Sequence, residues 1–378
     1  MDHLVVFGSR NSIDGVPVTR PRVCVDGVDV QCGFVPVATP SFDGSKEGMR
    51  GSVLVRVRGF SCNYRDKAFA RSMRSVAPQR FSPIGSEYVA EVVAVGAEVT
   101  TLRPGDRVIT DHHYVGRPWL AEPGGPRAGV ASNQASRGYH VTSARKLRAI
   151  PPSMPDAMAA AFSLNAQTAY SMLRRLELSP GANVLVTSGA SNTSQFALAA
   201  LRQHPVNVFT VTSSARWAER LGSLGAHGVL VVGRHLSGFH EARKVTDFAE
   251  EVGGFDAIID PFFDLHVEKV VEVMNPFGRY VTCGLVGQNE VAAHASGVAS
   301  CPPNSGRLFT QMIMKNLTLS GNCIGVSSDL DAALCDHTRG SFQPVLDSVF
   351  CGSEAAGFLD RTFNDPDRFG KVAFVYDN

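Results

Sequence analysis

Between Asn183 and Ala226 the chain lays out a strand, a turn of small hydroxyl residues, an apolar helix and a second strand, and this order constrains the fold more than any other feature. The first strand reads Val184-Leu185-Val186-Thr187, and the turn reads Ser188-Gly189-Ala190-Ser191-Asn192-Thr193-Ser194-Gln195. The helix then runs through Phe196, Ala197, Leu198, Ala200 and Leu201, and the second strand covers Val206 to Thr212. Two parallel strands joined by a helix require a right-handed crossover and a sheet covered on both faces. The first N–H groups of a helix lack internal partners and the helix dipole is positive there, so the turn suits a pyrophosphate. The usual G-x-G-x-x-G is absent. Only Gly189 remains, and the close-approach positions carry Ser191, Asn192 and Ser194, whose side chains can donate to phosphate. Asn192 also tolerates a left-handed backbone. The same residues read equally as a plain polar turn.

The end of the second strand bears on which nucleotide would fit. A carboxylate about 20 residues after the glycine turn selects the ribose 2′-hydroxyl of NAD. Here the chain reads Thr212-Ser213-Ser214-Ala215-Arg216. Hydroxyls and a guanidinium suit a 2′-phosphate, which an acid would repel, so NADPH is the expected cofactor. The competing reading makes Ser213 and Ser214 caps of a helix beginning near Ala215.

With 378 residues, two domains are expected. Hydrophobic residues at 44% and charged ones at 19% describe a globular chain with material for a core. A net charge of +1 without a Lys/Arg block argues against nucleic acid or an anionic membrane as partner. A small-molecule substrate is expected instead. No apolar run approaches the ~20 residues that span a bilayer, and the start lacks a basic region followed by an apolar stretch, so a cytoplasmic setting is expected. The eight cysteines are scattered without a C-x-x-C pair, against both a zinc ribbon and a disulfide framework.

The organisation changes near Pro152. Before it come short β-rich runs, with alternation at 53–57 pointing to a half-buried strand, then Tyr88 to Val95 and Arg107 to Ile109, the pattern of a small barrel. A loop from His112 to Arg137 has no periodicity and reads as a pocket wall or a mobile flap. After it helices and strands alternate: helix Asp156 to Arg174, strands at Val184, Val206, Val229, Ala257 and Tyr280, a helix from Val267 to Met274, and Leu317 to Leu319. The fold class expected is α/β, a barrel-like domain (1–152, completed by 344–378) plus a doubly wound Rossmann domain (153–343). The last segment, Phe363 to Asp377, is strand-like and is expected to return to the first domain.

The order of motifs resembles the medium-chain dehydrogenase/reductase superfamily, in particular its zinc-independent quinone oxidoreductase and polyketide-type enoyl reductase branches. The landmarks are Cys62-Asn63-Tyr64-Arg65-Asp66, Gly85-Ser86-Glu87, Pro104 to Val108, Gln167-Thr168-Ala169-Tyr170, Pro180 to Val186, Leu224-Gly225-Ala226, Asp256 to Asp260 and Gly370-Lys371-Val372. The resemblance implies a GroES-like catalytic domain joined to a Rossmann domain, with the active site in the cleft between them. It implies Asn63 and Tyr64 beside the nicotinamide, Thr168 near it or its ribose, and Cys283 with Gly284 offering main-chain contacts to the carboxamide. The basic position of the adenosine pocket falls on Trp217, with Arg216 as neighbour; Trp217 is expected to stack on adenine. A homodimer through the edge strand near Leu317 to Asn322 is the family expectation.

The positions that hold zinc in zinc-using relatives carry Asn63, Ser86 and Leu164 here, none a soft or imidazole ligand, so no metal is expected. Cys62 and the pair His112-His113 are the rival ligands, against a plainer reading as a core thiol and loop histidines. Without a Lewis acid, the easier task is hydride transfer to an activated C=C (enone or enoyl thioester, free or carried on a protein or CoA) or to a quinone. Asn63 and Tyr64 are the candidate donors, with Tyr64 alternatively an aromatic packed under the cleft floor. Ser86 would orient a substrate carbonyl, or simply pack. Asp66 reads as a structural partner of Arg65, and Lys67 as a solvated helix charge. Two alternatives stand beside this reading: a zinc-independent alcohol dehydrogenase or carbonyl reductase, and an NADPH-binding protein with little turnover. The segment Gln288 to Arg307 is expected to shape the pocket or a subunit contact.

Overall fold

The computed structural model describes residues 2–8, 12–13, 16–17, 20–36, 38–73, 81–113, 131–233, 239–286 and 305–377. It divides into two units, Met1–Leu164 with Leu346–Asn378, and Asn165–Val345. The first division therefore falls inside a helix, beyond the Pro152 expected from composition.

The first unit is antiparallel apart from one parallel pair of strands near the end of the chain. β1 (Asp2–Phe7), a short ladder of β2 (Ser12–Ile13) and β3 (Val16–Pro17), β4 (Arg22–Val25) and β5 (Val28–Pro36) precede the long β6 (Ser52–Ser61). Helix α1 (Tyr64–Ser72) follows, then β7 (Phe81–Pro83), β8 (Glu87–Val95), β9 (Arg107–Thr110), β10 (Tyr139–Ser143) and β11 (Leu147–Ala149). One sheet orders as β4-β5-β1-β7. The alternation expected over 53–57 is only partial. Val53, Leu54 and Val55 are all buried, because β6 lies inside its sheet with β8 and β10 as partners.

The single helix expected from Asp156 to Arg174 is two, α2 (Asp156–Ala159) and α3 (Ser163–Leu176). A restart at Ser163 has a physical cause. The N–H of Leu164 and the hydroxyl of Ser163 both turn to the Glu87 carboxylate, at 2.9 and 3.3 Å, an anion at a helix start.

The second unit holds one parallel sheet. β12 (Asn183–Val186), α4 (Asn192–Leu201), β13 (Asn207–Thr212), α5 (Ala218–Ser223), β14 (Gly228–Val231) and α6 (Phe239–Val252) form one half. β15 (Phe255–Asp260), α7 (Phe263–Val270), β16 (Met274–Thr282), α8 (Ser305–Lys315), β17 (Thr318–Gly321) and α9 (Ser327–Thr338) form the other. The strand order β14-β13-β12-β15-β16-β17 reverses between β12 and β15, so this is the doubly wound arrangement expected, with β17 at one edge. Leu185, Val211, Phe255, Ile258 and Tyr280 form its buried centre with α6 and α7. The helix expected through Met274 ends earlier, because Met274 already pairs with Phe255 in the sheet.

The chain then returns to the first unit through β18 (Leu346–Phe350), α10 (Ala355–Phe363) and β19 (Lys371–Val375). Phe363 is thus helical, and only Lys371–Val375 is strand. β19 pairs antiparallel with β6, Ala373 opposite Ser61 and Phe374 opposite Phe60, which sets Lys371 beside Cys62 and Asn63. Phe60, Phe358, Phe374 and Tyr376 lock this return, with Phe60 and Phe358 rings 5.2 Å apart. Residues 114–130 of the His112–Arg137 loop and 288–304 of the Gln288–Arg307 segment lie outside the described residues. Among the described residues no helix is long and apolar enough to cross a membrane.

Candidate functional site

In the first unit, the end of β6, the start of β8 and β19 bring one buried cluster together. Asn63 gives one amide hydrogen to Ser86 Oγ (3.0 Å) and the other to Glu87 Oε1 (2.9 Å), while its Oδ1 accepts from Lys371 Nζ (2.8 Å). Lys371 also donates to Glu87 Oε1 at 2.7 Å, and Ser61 Oγ donates to the same oxygen at 2.8 Å. Ser86 donates its only hydroxyl proton to Asp66 Oδ2 (2.8 Å), which also accepts the Asn63 N–H (2.7 Å). That second bond is half of a capping box, with Asn63 the N-cap of α1 and Asp66 its N3 carboxylate, whose charge Arg65 also favours.

Two expectations change here. Asn63 and Ser86 are buried and both have spent their donors inside the cluster, so neither can offer a proton to a substrate oxygen. Tyr64, next in the chain and first in α1, is 40% exposed. Lys67 is not a free solvated charge: it pairs with Asp26 at 2.7 Å.

The pair that organises the cluster, Glu87 and Lys371, had no role in the sequence reading, although both stood in its landmarks. Burial alone would raise the Glu87 pKa, but the Lys371 ammonium and the surrounding donors hold it below the ordinary glutamate value. Burial pushes the Asp66 carboxyl up despite its two donors, and the Cys62 thiol well up. Cys62 is therefore an inert core thiol.

Beside Glu87 sits a second buried group. His112 lies in the loop after β9, as expected, yet is fully buried, with Nε2 3.1 Å from Ser163 Oγ and 3.2 Å from Thr110 Oγ1. The N–H of Ala131 donates to its Nδ1 at 3.2 Å, so the proton of the neutral ring is assigned to Nε2. Burial lowers its pKa to about 4, against the pull of Glu87 and Asp111. Zinc does not fit this donor set. Asn63, Ser86 and Leu164 do converge on Glu87, yet as an amide, a hydroxyl and an aliphatic residue, with Lys371 already balancing the carboxylate. Among the described residues no three His, Cys, Asp or Glu side chains gather where they could hold a metal ion.

In the second unit the turn after β12 starts its helix three residues earlier than the apolar pattern implied. Ser191 is the N-cap and accepts from the Ser194 N–H at 3.2 Å, so Asn192, Thr193 and Ser194 form the first turn of α4. The left-handed residue is Ser188 (φ 49°), not Asn192, which is helical. Gly189 serves packing: a Cβ there would lie 2.4 Å from Thr210 Oγ1. Ser194 is buried and donates to the Thr187 carbonyl (2.7 Å), and Ser191 donates to Ser194 Oγ (2.9 Å), so these hydroxyls are not phosphate donors.

A phosphate still finds partners at the turn. The backbone N–H groups of Ala190 and Thr193 meet no acceptor among the described residues, and the Thr193 hydroxyl only accepts, from Asn165 Nδ2 at 3.3 Å. Buried Asn165 keeps an orphaned Oδ1, and buried Gln195 an orphaned Oε1. Unspent donors at a helix start and unspent acceptors beside it fit a nicotinamide dinucleotide. Asn165 went unnoticed in the sequence because nothing in its spacing sets it apart from the rest of its helix. Thr168 lies buried on the same helix.

At the end of β13, Ser213 is exposed, Ser214 half-buried, and neither side chain caps the short helix that follows. Trp217 is buried rather than open to an adenine, and the guanidinium of exposed Arg216 stacks over its ring at 4.7 Å. Cys283 and Gly284 follow β16. The Gly284 carbonyl already accepts from Phe263 N–H (3.0 Å) and Thr282 Oγ1 (3.3 Å), and burial pushes the Cys283 thiol up to about 12.

At the point where the strand order reverses, buried Asp260 ties the strand ends together. It accepts from Thr187 Oγ1 (2.7 Å), His266 Nδ1 (2.9 Å), Phe262 N–H (2.9 Å) and Tyr280 OH (2.7 Å). Burial opposes its charge, but His266 and the other donors bring its pKa below the ordinary aspartate value. Asp260 thus fixes Thr187, and Thr187 in turn holds Ser194 at the start of α4.

Residues 49–139 match the family model for the alcohol dehydrogenase GroES-like domain. The chain is 25% identical to the rat synaptic vesicle membrane protein VAT-1 homolog, over 86% of this chain and 77% of that protein. It is 32% identical to the human mitochondrial enoyl-[acyl-carrier-protein] reductase, over 48% of this chain and 46% of that one. It is 29% identical to the polyketide synthase GfsB of Streptomyces halstedii over 66% of this chain, yet spans only 4% of that synthase. Among solved structures, crotonyl-CoA carboxylase/reductase AntE, in complex with NADP, superposes with a TM-score of 0.74 at 18% identity, covering 99% of this chain and 94% of that one. The chain thus carries an alcohol dehydrogenase GroES-like domain on 49–139, followed by a doubly wound parallel sheet, and it shares its fold with that reductase.

Proposed function

We propose that the protein is an NADPH-dependent, metal-independent oxidoreductase that delivers hydride to an activated C=C or to a quinone. The observation that carries this reading is the filled cluster of Asn63, Ser86, Glu87 and Lys371: the positions where zinc-using relatives hold their metal are knit to one another, with charge balanced and donors spent. Nothing there can polarise the oxygen of a simple alcohol or ketone as a Lewis acid does. Reduction of a conjugated alkene or a quinone spreads the arriving charge onto an oxygen that ordinary hydrogen-bond donors can hold. The names of the enoyl reductase and crotonyl-CoA reductase relatives support the same class.

A bound reduced nicotinamide would supply the hydride. The chain's own part is to grip the pyrophosphate with the Ala190 and Thr193 N–H groups and the Thr193 hydroxyl, and the 2′-phosphate with Ser213, Ser214 and Arg216. Asn165 Oδ1 accepts from the carboxamide. Tyr64, whose ring reaches solvent, is the residue left to hand a proton to the product, directly or through water.

Calorimetric titration tests the nucleotide preference. NADPH should bind more tightly than NADH, and Arg216→Ala should weaken NADPH by about ten-fold while leaving NADH unchanged, since a charge-assisted bond contributes about 1.5–3 kcal/mol. Equal loss for both nucleotides would remove Arg216 from the 2′-phosphate.

A further inference from the structure

At the amino-terminal ends of β12, β15 and β16, away from the turn after β12, the second unit carries a cavity of about 340 Å³ lined by residues 176–182, Asp256, Ala257, Phe277 and Arg279. Its rim breaks a local rule. In Asn275-Pro276-Phe277-Gly278 the residue after the proline has a left-handed backbone, φ 65°, at a position where glycine fits without penalty and a bulky side chain is strained. The phenyl ring placed there is 74% exposed, so the strain brings no burial in return. Asn275 Nδ2 donates to Asp256 Oδ1 (2.9 Å) and the Gly253 carbonyl (3.2 Å), which pins the turn to the start of β15 and keeps the ring at the cavity mouth. A strained and exposed aromatic is retained where it meets something outside the chain.

The charges at the mouth indicate what that is. Arg279 and Glu177 pair at 2.7 Å and cancel. Among the described residues Asp256 accepts from neutral groups, Asn275 Nδ2 and the Asn183 N–H (2.8 Å), and no cation pairs with it. The C-terminal end of α3 adds the negative pole of a helix dipole through Leu176. A negative cavity with an aromatic ring at its mouth and Leu176, Leu178 and Pro180 on its walls is complementary to a cation on an aliphatic stem. We propose that this cavity binds a primary alkylammonium group, with the ammonium at Asp256 and the stem along Phe277, whether carried by a free amine or by a lysine side chain. This site is independent of the nucleotide reading.

Amide NMR on the full chain tests it with n-butylammonium, with n-butanol as its uncharged match, and with Nα-acetyl-lysine methylamide. Saturable shifts at Asp256, Phe277, Gly278 and Arg279 with either ammonium and none with n-butanol support the proposal. The tighter of the two ammonium probes identifies the source. Asp256→Asn should weaken binding about five-fold, as should Phe277→Gly. Phe277→Gly should also leave the melting temperature unchanged or higher, because it relieves the turn, so lost binding cannot be put down to unfolding. No saturable shift, an equal response to n-butanol, or undiminished binding by Phe277→Gly would overturn the proposal.

Discussion

Glu87 and Lys371 show how much of a site can lie in plain view of the sequence and stay unread. Both residues stood in recognisable motifs, but their meeting depends on β19 returning to β6 in one register, and no local pattern announces a contact between residues so distant along the chain. The pair is buried, so removing one partner strands a charge. Lys371→Met should destabilise the protein by about 3–5 kcal/mol in urea denaturation, and adding Glu87→Gln should recover much of the loss. A loss below ~1 kcal/mol for the single variant would mean that the pair does not hold the cluster. His112 gives a pH signature of the same burial. Its pKa falls from the ordinary 6.5 to about 4, so the unfolded chain takes up a proton that the folded one refuses. That contribution is intact above pH 6.5 and is lost as pH falls towards 4, at up to about 1.4 kcal/mol per pH unit. His112→Gln should flatten the stability profile in that window without abolishing the slope, because burial lowers His140 to about 4 as well. An unchanged profile would show that His112 is not held neutral.

The elements were legible where periodicity was strong and misread where a side chain intervened. Parallel strands from Val184 to Leu319 follow from apolar runs, and the doubly wound order follows from their alternation with helices. The start of α4 did not, because Ser191 caps it and draws Asn192 to Ser194 into the helix, while an apolar pattern registers only from Phe196. The break before α3 was hidden for a similar reason, since its cause is Glu87, which is remote in sequence. Small hydroxyl residues promised phosphate donors, yet Ser191 and Ser194 bond each other and Thr187, and what remains for a ligand is the backbone they hold in position. Ser191→Ala should therefore cost about 1 kcal/mol of stability from the lost cap and weaken NADPH through the disordered turn. Calorimetry showing unchanged NADPH affinity alongside reduced stability would separate the cap from the nucleotide site.

For the molecule as a whole, the fold class was readable from the change of style along the chain, and the presence of a GroES-like domain from the order of short motifs that are weak one by one. The three changed ligand positions were legible too, but what fills them was not: a hydrogen-bonded network closes over those positions and balances its own charge. Substrate choice leaves a fainter trace, because the stretches expected to shape a pocket carry no periodicity, and local spacing does not determine the shape of a loop. The account's central claim is that the chain passes hydride to an activated alkene or quinone without a metal. The most direct test is label transfer by chelator-treated, zinc-free protein from NADPH deuterated at the reactive C4 position to enoyl thioesters, cyclic enones and quinones. The account predicts NADPH oxidation with deuterium at the β-carbon of the reduced alkene, or hydroquinone formation; turnover that appears only when zinc is restored, or deuterium on a carbonyl carbon, would contradict it.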